Sequence, residues 1–109
     1  MTEWKSKIQS EFERAEAART QGNEGQARVC ARRAAGIAIR EYYSRLGHNV
    51  RTPSAYDLLN ILMKEPHLHP DLKQAAVYLT LHVNEKFELP VDIDLLEEAR
   101  KLCGGLLKK

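Results

Sequence analysis

The sequence predicts an all-α protein, an up-and-down bundle of four to five helices. Apolar side chains recur every three to four residues through most of the 109-residue chain, which is the period of an amphipathic helix. No segment shows the alternation with a period of two that is typical of a half-buried strand. A chain of this length supports one hydrophobic core. We therefore expect a single domain that spans residues 1–109.

The first helix is predicted from about Thr2 to Arg19, with Thr2 as its N-cap. Its apolar stripe consists of Trp4, Ile8, Phe12 and Ala15. Because glycine and asparagine adopt left-handed backbone conformations easily, we expect the Gly22-Asn23 pair to end this helix.

The second helix is predicted from about Glu24 to Leu46 and is apolar on nearly its whole circumference. Mostly small side chains form its main face, namely Ala27, Cys30, Ala31, Ala34, Ile37, Ala38 and Tyr42, and Ala35, Gly36, Ile39 and Tyr43 widen it. A helix this apolar needs cover on more than one side. It is therefore the predicted centre of the bundle, and any surplus of apolar surface favours a homodimer. A glycine inside a helix costs up to about 1 kcal/mol, for which close packing at Gly36 is the expected compensation.

The third helix is predicted to start with Thr52 as N-cap and Pro53 at its first position, and to close at Glu65-Pro66. Its apolar stripe is Ala55, Leu58, Leu59 and Leu62. These positions follow the helical period, so this segment is expected to lie on the core.

Two further helices complete the prediction. The fourth opens at Pro70 and runs to the break at Leu89-Pro90, with a stripe of Leu72, Ala76, Leu79, Val83 and Phe87. The fifth follows a cap at Asp92, with Asp94 in its first turn, where a negative charge suits the helix dipole. Its stripe is Leu95, Leu96, Ala99, Leu102, Cys103 and Leu106, and Gly104-Gly105 is expected to weaken its end.

Cysteine usage predicts a cytoplasmic protein, and the net charge limits the partners that we expect. The net charge of +2 argues against strong non-specific binding to nucleic acid, although residues 1–52 hold ten Lys and Arg against six Asp and Glu. Cys30 and Cys103 lie on apolar stripes, which predicts two buried free thiols, with a disulfide between helices as the alternative. We expect no signal peptide and no membrane span, because no apolar run approaches the required ~20 residues.

The order of three sequence features resembles the HEPN family of small helical domains. They are the Gly- and Ala-rich second helix from Gly25 to Tyr43, the Tyr56-Asp57-Leu58-Leu59 start of the third helix, and the Pro90-Val91-Asp92 junction before the last helix. The resemblance implies a bundle that dimerises through long helices and associates with a small nucleotidyltransferase, a nucleotide or RNA.

Catalytic members of that family carry an arginine four to six residues before a histidine. No such pair is present here, since Arg45 and His48 are only three residues apart. The resemblance therefore implies a non-catalytic member without nuclease activity.

A second resemblance is to the tetratricopeptide repeat, through the helix-turn-helix pattern from Ala15 to Ala35. Only one such unit is visible, whereas these arrays need about three repeats to be stable. The alternative function that it implies is a scaffold that binds peptides along a helical hairpin.

The strongest candidate binding residues lie on the second helix. Guanidinium forks match phosphate oxygens and an aromatic ring can stack on a base, which predicts a nucleotide or RNA site at Arg28, Arg32, Arg33, Arg40, Tyr43 and Asp57. The alternative is a solvated helix edge, with the arginines paired to Glu24 and Glu41 and with Asp57 only favouring the start of its helix.

The histidines are the candidates for unrecognised enzyme chemistry. His67 and His69 flank Leu68 in a predicted loop, and His82 lies beside Glu85 and Lys86 on the fourth helix. Two-histidine metal sites usually need further ligands, and a general base needs a positioned substrate. The sequence shows neither, so we predict no catalytic residue, no metal site and no cofactor.

Overall fold

Helix-forming runs separated by Gly, Pro and capping residues give the chain its architecture. The computed structural model describes residues 3–81, 89 and 92–107, and these form five α-helices and no strand. The helices are α1 (Glu3–Thr20), α2 (Glu24–Arg45), α3 (Ala55–Met63), α4 (Pro70–Leu79) and α5 (Leu95–Leu106). The predicted all-α class is confirmed.

A tight turn joins α1 to α2, as the sequence predicts. Gly22 has a positive φ of 81°, which glycine adopts without strain. Asn23 caps α2 by accepting a hydrogen bond from the Gln26 N–H at 3.1 Å. The two helices run antiparallel, because Arg19 bonds Glu24 at one end and the Arg45 guanidinium lies 5.2 Å from the Trp4 ring at the other.

The helix α2 is the centre of the fold, and it packs against α1, α3 and α5. Five of its alanines are completely buried: Ala27, Ala31, Ala34, Ala35 and Ala38. Gly36 is buried where α3 crosses α2, and a Cβ built there would lie 3.5 Å from the Ala55 Cβ. Because that is an ordinary van der Waals distance, the close packing expected at Gly36 is present without excluding alanine.

The predicted start of α3 is wrong by two residues. Ser54, not Thr52, is the N-cap, since its Oγ accepts from the Asp57 N–H at 3.2 Å, and Pro53 precedes the helix. The Thr52 hydroxyl instead accepts from the Ser54 N–H at 3.2 Å and donates to Asp57 Oδ2 at 3.0 Å. Thr52 therefore contacts the Ser54 backbone and the Asp57 side chain instead of capping α3.

The predicted end of α4 is also wrong, because the helix ends at Leu79 and not at Leu89. Thr80 occupies the C-cap and its hydroxyl donates to the Val77 carbonyl at 2.6 Å. Arg32 of α2 donates hydrogen bonds to the carbonyls of Leu79 and Leu81 at this end. Val83 and Phe87, predicted for the same stripe, lie outside the described residues.

Helix α5 differs from its prediction at the N-terminal end. Asp94, not Asp92, is the N-cap, since its Oδ1 accepts from the Leu96 N–H at 3.0 Å. Gly104 and Gly105 lie within the helix, which continues to Leu106. At Gly105 an added Cβ would collide with the end of the Leu72 side chain, so Leu72 would have to shift to admit it.

The core contains the two cysteines as buried free thiols, as predicted. Burial raises the pKa of Cys103 to about 12, so this thiol stays protonated at neutral pH. Phe12 packs against the core, whereas Trp4 is only half-buried. Within the described part of the chain, no helix has the length and apolar character that crossing a membrane requires.

Candidate ligand-binding groove

A groove lies between α1, α2 and the start of α3, and we call it the α1–α3 groove. It encloses about 550 Å³, which lies within the range of small-molecule sites, ~300–1,000 Å³. Helix α2 contributes Val29, Arg32, Arg33, Gly36, Ile37 and Arg40. Glu11 comes from α1, and Pro53, Ala55, Tyr56 and Leu58 come from α3 and the segment before it. Three of the predicted arginines therefore meet here.

Arg32 lines the groove but is committed to the fold. Its Nε donates to the Leu79 carbonyl at 2.8 Å and its Nη2 to the Leu81 carbonyl at 2.9 Å. Its guanidinium carbon lies 5.3 Å from the centre of the Tyr56 ring, at cation–π distance. Burial lowers the pKa of Arg32, yet an arginine remains charged at neutral pH.

Arg33 and Arg40 are the available cations of the groove. Both side chains are exposed. Arg40 donates one hydrogen bond, from Nη2 to the Thr52 carbonyl at 2.8 Å, and its other N–H groups have no acceptor among the described residues. Arg33 forms no hydrogen bond or ion pair with any described residue. A guanidinium has five N–H donors, so the pair retains most of its capacity for a ligand.

Glu11 is a groove residue that sequence reasoning missed. Its side chain is 14% exposed, and Oε2 lies 3.7 Å from Nη1 of Arg14. Its other oxygen, Oε1, is shielded from solvent and has no hydrogen-bond partner among the described residues. The signal was present in the sequence, because Glu11 lies three residues after Ile8 and four before Ala15, on the apolar stripe of α1.

The structure does not bring Tyr43 into the groove. Its side chain is 6% exposed, and its hydroxyl donates to Glu65 Oε2 at 3.1 Å. Burial raises the pKa of Tyr43, and the bond to Glu65 raises it further. The aromatic residue that does line the groove is Tyr56.

Arg28 and Asp57 lie near the groove without lining it. The Arg28 Nε lies 3.9 Å from Glu24 Oε2, and its side chain is 17% exposed. Asp57 is exposed and accepts the hydrogen bond from Thr52. Since Arg40 bonds the carbonyl of the same Thr52, Asp57 supports the rim at which Arg40 is held.

The histidines do not converge on a site in the described residues. His69 caps α4, because its Nδ1 accepts from the Asp71 N–H at 3.1 Å, and this requires the neutral ring with its proton on Nε2. His67 is exposed in the preceding loop, and His82 lies outside the described residues. No group of three or more His, Cys, Asp or Glu side chains in residues 3–81, 89 and 92–107 is arranged to hold a metal ion.

The groove offers two cationic forks, an aromatic ring and apolar side chains within one small volume. This combination suits a ligand that carries both an anionic group and a flat or apolar part. Comparison of the chain with protein-family models, with curated proteins and with solved structures gave no match. The groove itself is therefore the basis for an inference about function.

Proposed function

We propose that the chain is a cytoplasmic, non-catalytic binding module, an up-and-down helical bundle of the HEPN type, that holds a nucleotide or short single-stranded RNA in the α1–α3 groove. The observation that carries the proposal is the presence of Arg33 and Arg40, with most of their donors available, beside Tyr56 in one groove. Guanidinium groups bind phosphate oxygens in pairs of hydrogen bonds. Aromatic rings stack on bases that are not paired.

The spacing of the two cations fits this ligand class. Arg33 and Arg40 are separated by two turns of α2, or about 10 Å along the helix axis. A single phosphate contacts one of them, whereas a nucleotide or dinucleotide extends along both. Val29 and Ile37 lie between and beside them and offer apolar surface to a base or ribose.

Binding of nucleoside monophosphates and of short RNA oligonucleotides, measured by calorimetry and fluorescence anisotropy, tests the proposal. Arg33→Ala and Arg40→Ala are each expected to weaken binding about 5- to 50-fold, which corresponds to one lost charged hydrogen-bonding group at ~1–2.5 kcal/mol. Lys64→Ala is the matched control, because Lys64 is an exposed cation at the opposite end of α3. Equal effects of all three variants would mean that binding is only non-specific attraction to phosphate.

The lack of nuclease activity is part of the same proposal. The sequence has no arginine four to six residues before a histidine. Within the described residues, the two histidines of the α3–α4 loop are an exposed side chain and a helix cap. Incubation of the protein with labelled single-stranded RNA is expected to leave the RNA intact, and cleavage that copurifies with the protein would contradict this.

A peptide is the second candidate ligand, because the groove also exposes apolar surface. Val29 is 39% exposed and Ile37 is partly exposed on the same helix. Val29→Ser distinguishes the two ligands. It is expected to leave nucleotide binding within about fivefold, since a small contact of this kind is worth at most ~1 kcal/mol, whereas a peptide anchored on Val29 would be lost.

We also propose a homodimer and a nucleotidyltransferase-type partner protein. The alanine-rich faces of α2 are covered within the chain, and the exposed large apolar side chains left for these contacts among the described residues are Val29, Leu46, Ile61 and Val77. Light scattering is expected to give twice the chain mass of 12.4 kDa, and Val29→Arg is expected to return the mass to one chain. A monomer at high concentration would contradict the dimer and leave the groove proposal standing.

A further inference from the structure

The orphaned oxygen of Glu11 indicates what kind of ligand the groove recognises. A carboxylate oxygen that is removed from water without a partner is unfavourable, and native proteins rarely retain one without a reason. Here Glu11 lines the α1–α3 groove with Oε1 unpartnered among the described residues, and the nearest cation, Arg14, is 3.7 Å from Oε2. A hydrogen-bond donor brought by a ligand would satisfy this oxygen.

The position of Glu11 is fixed by the antiparallel pairing of α1 with α2. The contacts of Arg19 with Glu24 and of Trp4 with Arg45 mark the two ends of that pairing. Glu11 lies midway along α1 and is therefore beside the middle of α2. At that level Tyr56 approaches from α3, where it meets Arg32.

Arg40 lies toward the other end of the groove. It is about 10 Å along the axis from the level of Arg33, and Arg33 lies at the middle of α2, near the level of Glu11. The groove thus has an acceptor and an aromatic ring at one end and a guanidinium at the other. This polarity matches a molecule with a donor edge on a flat ring and an anion several bonds away.

We infer that the α1–α3 groove selects guanine nucleotides, with the Glu11 carboxylate accepting hydrogen bonds from the N1–H and N2–H groups of the base while Arg40 binds the phosphate. An ionised carboxylate is acceptor-only and can take two parallel donors. Guanine alone among the four bases presents two adjacent N–H donors on its Watson–Crick edge. Adenine and cytosine place an acceptor nitrogen beside the amine, and uracil flanks its single N–H with two carbonyls.

The small movement that this contact requires is available to the side chain. The terminal torsion of glutamate is broad and roughly two-fold, so Oε1 can turn toward the groove without a change in the helix. Neither oxygen is held by a hydrogen bond among the described residues. The inference rests on the proposed nucleotide-binding function and adds the identity of the base.

The test is the affinity of the whole chain for GMP, AMP, CMP, UMP and dGMP, measured by calorimetry. GMP is expected to bind about 5- to 100-fold more tightly than the other three ribonucleotides, the discrimination that one bidentate base contact gives. Glu11→Gln is expected to remove this preference, so that GMP binds no more tightly than AMP. Glu13→Gln is the matched control, because Glu13 is exposed on the same helix and accepts only a 3.3 Å hydrogen bond from Gln9.

The outcomes separate the two proposals. Four ribonucleotides that bind equally, and that all weaken in Arg40→Ala, would overturn the preference for guanine and leave the nucleotide-binding function intact. No binding by any nucleotide would overturn both. A preference for GMP that survives Glu11→Gln would show that Glu11 does not read the base. If dGMP binds more weakly than GMP and Glu11→Gln weakens GMP by the same factor, Glu11 contacts the ribose 2′-hydroxyl and not the base. Thermal melting checks that Glu11→Gln is folded. The affinities of the unaltered chain for the four bases test the preference for guanine without relying on that variant.

Discussion

Replacing Arg32 by alanine is expected to destabilise the protein by about 2–4 kcal/mol, whereas the same change at its neighbour Arg33 costs less than about 0.5 kcal/mol. Arg32 makes two hydrogen bonds to carbonyls at 2.8 and 2.9 Å, each worth ~1.5–3 kcal/mol for a charged donor. Its contact with the Tyr56 ring adds ~0.5–1 kcal/mol. The burial that lowers the pKa of Arg32 offsets part of this sum, and the truncated site admits water to the carbonyls.

The physical reason for the difference lies at the end of α4. The last four carbonyls of a helix have no partner within the helix. Arg32 supplies one donor to the carbonyl of Leu79, the last residue of α4, and another to the carbonyl of Leu81, which follows the C-cap. Arg33 points to solvent and has no partner among the described residues, and changes at such surface positions are usually small.

Urea unfolding followed by circular dichroism measures both changes. With an m-value of ~1–3 kcal/mol/M, Arg32→Ala is expected to lower the midpoint by about 1–2 M, and Arg33→Ala is expected to leave it unchanged. Arg32→Lys is expected to fall between them, because lysine keeps the charge without the planar fork. If Arg32→Ala is as stable as the unaltered protein, the contact does not hold the end of α4 and Arg32 becomes a ligand-binding candidate equal to Arg33.

Two further predictions concern α5. Gly104→Ala is expected to stabilise the protein by up to about 1 kcal/mol, because alanine favours a helix and no described residue lies within 4 Å of the new Cβ. Gly105→Ala is expected to be about 1–3 kcal/mol less stable than Gly104→Ala, because the partly buried Leu72 side chain must shift to admit its Cβ. Equal melting temperatures for the two variants would contradict the packing at Leu72. The hydrogen bond from Arg19 lowers the pKa of Asp94 below its ordinary value of 3.8, so the unfolded state binds the proton first and this contribution to stability, complete at neutral pH, is lost as the pH falls below about 4. Asp94→Asn keeps a good helix cap without the charge, so it is expected to reduce the fall in melting temperature between pH 6 and pH 3, and an unchanged pH profile would contradict this.

The helix boundaries show which parts of the fold depend only on residues that are close in the sequence. The turn between α1 and α2 was predicted because Gly22 and Asn23 act through their own backbone and side chain. The end of α4 was not predicted correctly. Arg32 donates to the carbonyl of Leu79 there, although the two residues are 47 positions apart in the sequence. A local pattern cannot report a contact of that separation, and the continuing apolar period favoured a longer helix.

The same distinction applies to the candidate site. Arginines on α2 were found because their spacing on one helix is visible in the sequence, and three of them line the groove. Tyr43 and Tyr56 are chemically alike, and only the tertiary structure shows that Tyr43 is held in the core by Glu65 while Tyr56 faces the groove. Glu11 required the register of α1 against α2, which no short motif contains.

The arginines of α2 fall into two groups by their hydrogen bonds: those that hold the fold together and those whose donors remain for a ligand. Their positions in the sequence do not reveal this difference. Arg28 lies against Glu24, and Arg32 completes the end of α4. Arg40 gives one donor to the segment before α3. Arg33 gives none to the described residues, and although Glu11 lines the same groove, the two do not form an ion pair there. A cation and an anion that share a groove without neutralising each other leave it with both an unsatisfied donor set and an unsatisfied acceptor. A ligand that carries both kinds of group therefore fits this groove better than a simple anion does.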